Sequence, residues 1–476
     1  MSYAIYVGKN LTAEGCTYLA GYGDEPSSHW LDITPARAHP RDATITVGVT
    51  AAANFPGELI VVPQVPATAK SIGVNYSYYK GFPAPLTNGG LNEHHVAVRD
   101  VWSPSRRELQ AMTPNPQRGL NYSDLARLVL ARARSAREGV ALIGDLIAQH
   151  GYATYGGNSH LIADRNEGWV VLEFAGGQGL WVAERLGADD LRISRPGYIG
   201  TIPRNYNAHP DYLGSPNLIT FAVEQGWYDP AAGEPFHVNA VYGDGKMQWT
   251  GVQWVQQALQ ERAQSPQKIT LRDLMWALRT PTLTGDTAGY GQIVPLHAAT
   301  HPELGMLWHA PGAAVTAPFT PFYLGVTAVP PEYQQHRYLT AGEAARFMDT
   351  KAESPEQQSR VTPAMESTRS AFQLGKRLFY LTMQHHEAFL PEVTAALTAF
   401  ENRLIEQQTV VTQTAQTLYE AGQADLARHY LTYVSNTEAM KALQLVETLA
   451  ESLELRTKYR FGMDATMSSG LPEVLW

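Results

Sequence analysis

Met1-Ser2-Tyr3-Ala4-Ile5-Tyr6-Val7-Gly8-Lys9 opens the chain, and its reading governs everything after it. The run sets a hydroxyl at residue 2 and follows it at once with strand-forming residues. Ser2 is small, so removal of the initiator methionine is expected. The α-amine released, with a pKa of about 8, would then act as general base for the Ser2 hydroxyl. Gly8-Lys9-Asn10 and Ala13-Glu14-Gly15 carry turn chemistry, and residues 17–22 read as a second strand. A hairpin starting at residue 2 would hold the Ser2 amine at a sheet end. Most chains beginning Met-Ser carry no catalysis there, so position alone decides nothing.

The 476 residues can bury a large core, and length predicts two or three domains. Hydrophobic residues make up 44% and charged residues 17%, the balance of an ordered globular protein. A net charge of -9 and the absence of a basic run argue against a nucleic-acid partner. Cys16 is the only cysteine, which excludes an intramolecular disulfide and zinc sites built from several cysteines. No metal and no cofactor are expected. The first residues lack a basic region followed by an apolar segment, so no secretory signal is expected. Residues 307–330 lack Asp, Glu, Lys and Arg but contain four prolines and two glycines. A bilayer helix would not tolerate that density of breaks, which predicts buried strands and loops, no membrane contact, and a soluble cytoplasmic protein.

Further strands are predicted over 44–49, 59–62, 95–98, 160–163, 169–174 and 179–184, with Gly176-Gly177-Gln178-Gly179 turning between the last two. Two helices interrupt them. Ser123 is read as the cap of one reaching residue 134. Ser135 and Glu138 are read as a capping box for a second reaching residue 150. Strands flanking a helical pair suit an α+β layered domain better than a βαβ repeat. Beyond Tyr333 the chain turns rich in Ala, Leu, Glu and Gln, predicting helices over 340–350, 362–390, 391–421 and 423–460. Pro363 and Pro391 fall near their starts, and Gly422 stands where a helix would end. The boundaries expected are 2–335 for the catalytic domain and 336–476 for a helical C-terminal region.

Ile5-Tyr6-Val7-Gly8-Lys9 and Leu11-Thr12-Ala13-Glu14-Gly15-Cys16 resemble the opening of the N-terminal-nucleophile dipeptidases, the dipeptidase A and secernin family. The resemblance continues in Asn88-Gly89-Gly90-Leu91-Asn92-Glu93-His94-His95-Val96-Ala97-Val98, in Ile162-Ala163-Asp164-Arg165-Asn166-Glu167-Gly168-Trp169, and in Trp181-Val182-Ala183-Glu184-Arg185. It is strong to about residue 200 and fainter to about 340. It implies an αββα four-layer sandwich with a helical C-terminal extension.

The resemblance also implies site residues. Ser2 stands where the family has its cysteine nucleophile, and a protonated hydroxyl depends more on the α-amine base than a thiol would. Cys16-Thr17 reproduces the family's Cys-Thr pair, but using it would discard the preceding strand, so Cys16 is read as a small structural residue. Asp24 matches an aspartate that positions the amine in the wider superfamily. Gly21 stands where many relatives carry arginine. Arg195 replaces an asparagine that could polarise the scissile carbonyl, leaving the oxyanion hole unassigned. Asn92 and Arg195 are the substrate-binding or oxyanion candidates, Asn92 alternatively a turn residue. His94 and His95, read on a strand, would point to opposite faces and could not chelate one ion.

The expected function is hydrolysis of dipeptides or other small amides through Ser2 and an acyl-enzyme, with a small peptide or amide as substrate and homo-oligomers allowed. A catalytically silent relative that binds a small ligand or partner, and an acyltransferase using the same acyl-enzyme, stay open as alternatives.

Overall fold

A computed structural model describes residues 2–25, 27–77, 79–194, 197–246, 248–298, 301–334 and 369–462. The opening run forms β1 (Tyr3–Val7), antiparallel to β2 (Thr17–Gly23), with Tyr3 opposite Tyr22 and Val7 opposite Tyr18. These strands lie inside a six-stranded sheet whose order is β14 (Leu191–Ser194), β1, β2, β18 (Tyr290–Leu296), β19 (Met306–Ala310) and β20 (Thr320–Tyr323). An eight-stranded sheet runs β16 (Tyr212–Gly214), β13 (Trp181–Leu186), β12 (Gly168–Glu173), β11 (Asn158–Ala163), β10 (Ala97–Val101), β9 (Leu86–Asn92), β8 (Ser71–Tyr76), β3 (His29–Thr34). Three short ribbons pair β4 (Arg37–Ala38) with β7 (Ala67–Thr68), β5 (Thr44–Val47) with β6 (Ile60–Pro63), and β15 (Thr201–Ile202) with β17 (Phe236–His237).

Alternation along each strand divides its side chains between two cores. Ala4, Tyr6 and Leu19 join Leu161, Val170 and Val182 of the other sheet. Tyr3, Ile5, Val7 and Ala20 pack instead with Val255 of α6 (Thr250–Gln264) and Leu274 of α7 (Leu271–Arg279). On the far face of the eight-stranded sheet, Ile162, Trp169 and Val171 pack with α2 (Tyr122–Arg132) and α3 (Ala136–His150). The layers therefore run helix, sheet, sheet, helix, the αββα order expected. Strands covered on both sides read as continuous apolar runs, as Tyr3–Val7 does. Short helices α1 (Arg107–Ala111), α4 (Leu218–Glu224) and α5 (Val238–Tyr242) fill the connections.

Three C-terminal helices follow: α8 (Ala371–Gln384), α9 (His386–Glu420) and α10 (Ala424–Phe461). Leu404 and Leu431 pack in the same cluster as Trp308 and Tyr323, while Ala439 and Leu443 join the inter-sheet core. Gly422, at φ +73°, lets the chain turn out of α9. Residues 335–368, which carry the expected boundary, Pro363 and the helix expected over 340–350, lie outside the described residues. Residues 307–330 are strands and loops, buried as predicted except at Thr327 and Ala328. Among the described residues no helix is long and apolar enough to cross a membrane.

Local expectations need four corrections. Ser135 caps α3 by accepting the Glu138 N–H, but the Glu138 carboxylate accepts the Arg134 N–H at 2.9 Å and closes no box with Ser135. Asn121, not Ser123, caps α2, through a reciprocal box with Asp124; the Ser123 hydroxyl instead accepts the Thr87 N–H at 2.6 Å. Pro391 lies inside α9, five residues past its start and not at it, and there it offers no N–H to the Glu387 carbonyl one turn back. His94 and His95 sit in the turn ahead of β10, with His95 at φ +58° and its Nε2 2.8 Å from the Pro302 carbonyl. Among the described residues no cluster of His, Cys, Asp or Glu could hold a metal ion.

Candidate active site

The β1–β2 register builds the site. With Tyr3 opposite Tyr22, Ser2 falls abreast of the chain leaving β2, and the Asp24 N–H donates to Ser2 Oγ at 3.2 Å. Both residues are buried. β18 pairs on the other edge of β2, Tyr290 opposite Gly23, and its approach loop delivers Thr287, whose hydroxyl donates to the Asp24 carboxylate. Gly23 has no room for a side chain, since a Cβ there would lie 2.5 Å from Glu25 Oε2 and 2.7 Å from the Tyr290 ring.

Behind this pair the facing sheet supplies a buried polar layer. Asn88 of β9 donates to Glu25 at 2.7 Å. Arg99 of β10 donates to the Asn88 carbonyl at 3.1 Å and to the Tyr22 carbonyl at 2.7 Å. Its stem passes over Gly21, where a Cβ would lie 3.3 Å from Arg99 Cγ. The Arg99 guanidinium thus reaches the β2 backbone from the other sheet. Arg99 also pairs with Asp100 at 2.5 Å; burial nevertheless pushes the Asp100 carboxyl up to about 7, with Arg99 opposing. His29 stacks between Tyr76 and Tyr290, each 5.2 Å away by ring centroid, and burial lowers its pKa. On α8, burial lowers the pKa of the Lys376 amine to about 8, with the charges of Asp286 and Asp24 opposing.

Ser2 and Asp24 are therefore brought together, as the family resemblance implies. Asn92 is not brought to them. Its amide donates to the carbonyls of Leu130 and Ala133 at 3.1 and 2.7 Å and accepts the N–H groups of His94 and Val96, both at 3.0 Å. That exhausts its capacity in tying the β9–β10 turn to the end of α2. It stands four residues along β9 from Asn88, about 13 Å at the strand rise. Arg195 lies outside the described residues.

Cys16 is buried ahead of β2, and burial pushes its thiol up to about 12. A thiol held protonated is a poor nucleophile. Cys16→Ala is expected to leave turnover within about twofold, and the native thiol to react with a disulfide reagent only on unfolding. Rapid labelling of the folded protein with loss of activity would contradict this.

Reasoning from sequence missed Thr287, Arg99, Asn88 and Lys376. Asn88 lay within a quoted motif. The other three come from segments 75 to 352 residues distant from Asp24, with no local pattern marking them.

A buried hydroxyl at the head of the first strand of a four-layer αββα sandwich is the arrangement expected of an N-terminal-nucleophile hydrolase. The model of peptidase family C69 matches residues 4–258, more than half of the chain, and the chain belongs to that family. It is 38% identical to the probable dipeptidase of Salmonella dublin over 121 residues, covering 25% of this chain and 27% of that protein. It is 28% identical to the probable dipeptidase A of Streptococcus pyogenes over 225 residues, 46% of this chain and 44% of the relative. The chain thus spans less than half the length of these curated relatives. A variant of the conjugated bile acid hydrolase from Clostridium perfringens, a solved structure, aligns over 65% of this chain and 89% of its own at 11% identity, with a TM-score of 0.30.

Proposed function

We propose that this chain hydrolyses the amide bond of dipeptides or other small amides, with Ser2 as nucleophile once Met1 is removed. The observation that carries the reading is the Asp24 N–H to Ser2 Oγ hydrogen bond at the buried head of β1, in a chain of peptidase family C69. The Ser2 α-amine, directly or through a water, takes the hydroxyl proton as Oγ attacks the amide carbonyl carbon. The amine then returns that proton to the leaving nitrogen as the C–N bond breaks. Water, deprotonated by the same amine, attacks the ester carbonyl carbon; the C–Oγ bond breaks, the amine returns the proton to Ser2 Oγ, and the acid is released. Asp24, oriented by Thr287, would hold the amine in register for both proton transfers.

Asp24→Asn tests that role: kcat/KM on alanyl-alanine is expected to fall about 100-fold, within the range for misplaced acid–base groups. Unchanged kinetics would remove Asp24 from the mechanism. Added amines would divert the acyl group into new amides if the chain were instead an acyltransferase, and product analysis separates the two.

A further inference from the structure

Helix α8 brings one charged group to the Ser2 end of the sheets for which the reaction above has no use. Lys376 follows Phe372 by one helical turn, and the Phe372 ring centroid lies 6.0 Å from that of His29. Lys376 Nζ is 5.6 Å from the same Phe372 ring. Part of the Lys376 stem reaches solvent, but its nitrogen is buried and has no hydrogen-bond partner among the described residues. Two carboxylates act on it from separate elements, Asp286 ahead of β18 and Asp24 at the end of β2. Asp286 is exposed, and Asp24 already accepts the Thr287 hydroxyl.

Burial lowers the Lys376 pKa to about 8, against the pull of both carboxylates, so at neutral pH the amine is still mainly a cation. A buried ammonium without an acceptor disfavours folding, and an arriving anion converts that penalty into affinity and selectivity. A dipeptide carries such an anion one residue beyond its scissile carbonyl, a reach of roughly 3.5 Å per residue. A longer peptide or a neutral amide would put an uncharged group there.

We propose that Lys376 receives the free α-carboxylate of the substrate, so that the C-terminal helices complete the site and select dipeptides over longer peptides and neutral amides. This rests on the hydrolase reading for its substrate, and the test separates the two. Binding of alanyl-alanine and of alanyl-alaninamide is measured by calorimetry on the Ser2→Ala protein, with and without Lys376→Met. Turnover of the same two compounds is followed with Ser2 intact. The acid-to-amide preference is expected to fall about 30-fold in Lys376→Met, the strength of a hydrogen bond to a charged group. Lys376→Arg should recover part of it. The methionine variant should also melt higher, because an unpaired buried cation has gone.

An unchanged acid-to-amide preference, even with both compounds weakened, would overturn the proposal, as would failure of the Ser2→Ala protein to bind either compound. Preference that depends on Lys376 without any turnover would keep the proposal and remove the hydrolase reading.

Discussion

Ser2→Ala is expected to abolish hydrolysis of alanyl-alanine, with kcat lowered about 10,000-fold or more, as for removal of a covalent nucleophile. The loss should be chemical and not structural. Ser2 Oγ accepts the Asp24 N–H, and deleting such a bond costs about 1 kcal/mol. The fold should therefore survive with a similar melting temperature. Ser2→Cys should retain turnover, because a thiolate needs less help from the α-amine than an alkoxide does. Equal rates for the native protein and Ser2→Ala would dispose of Ser2 as nucleophile.

Glu401→Ala is expected to give the largest loss of stability. Arg279, at the end of α7, donates to both carboxylate oxygens of Glu401 in α9, one bond measuring 2.8 Å, and its Nε donates to the Ala314 carbonyl at 2.9 Å. Glu401 Oε1 also accepts the Phe319 N–H at 2.8 Å. Both side chains are buried. Removing the carboxylate would leave a buried guanidinium and a backbone N–H without their acceptor, a cost of about 3–5 kcal/mol. Arg279→Met combined with Glu401→Met should recover most of it, since the uncompensated charge is what destabilises. Denaturant unfolding checks both, and a Glu401→Ala loss below about 1 kcal/mol would contradict the account.

The parts of this fold legible in sequence are those set by short-range pattern. β1 and β2 could be read from residues 3–7 and 17–22 because strand-forming residues are bounded there by turn chemistry, and α3 keeps the expected limits because Ser135 caps it. Asn121 was missed as a cap because Ser123, two residues on, also offers a side-chain oxygen that can accept a helix N-terminal N–H. Ser2 and Asp24 could be paired in advance only through the family resemblance; the register of β1 on β2, set by a single hairpin, is what brings them together. Arg99, Thr287 and Lys376 reach the site through contacts between sheets, across β18 and from a helix beyond residue 370. Such long-range contacts depend on how layers stack, and no spacing within one element encodes that.

The central claim is that the Ser2 α-amine and hydroxyl work together, and the mass of the N-terminal peptide from an active preparation tests it most directly. The account predicts a peptide beginning at Ser2, with activity proportional to the fraction so processed. Full hydrolytic activity in protein that retains Met1 would contradict it.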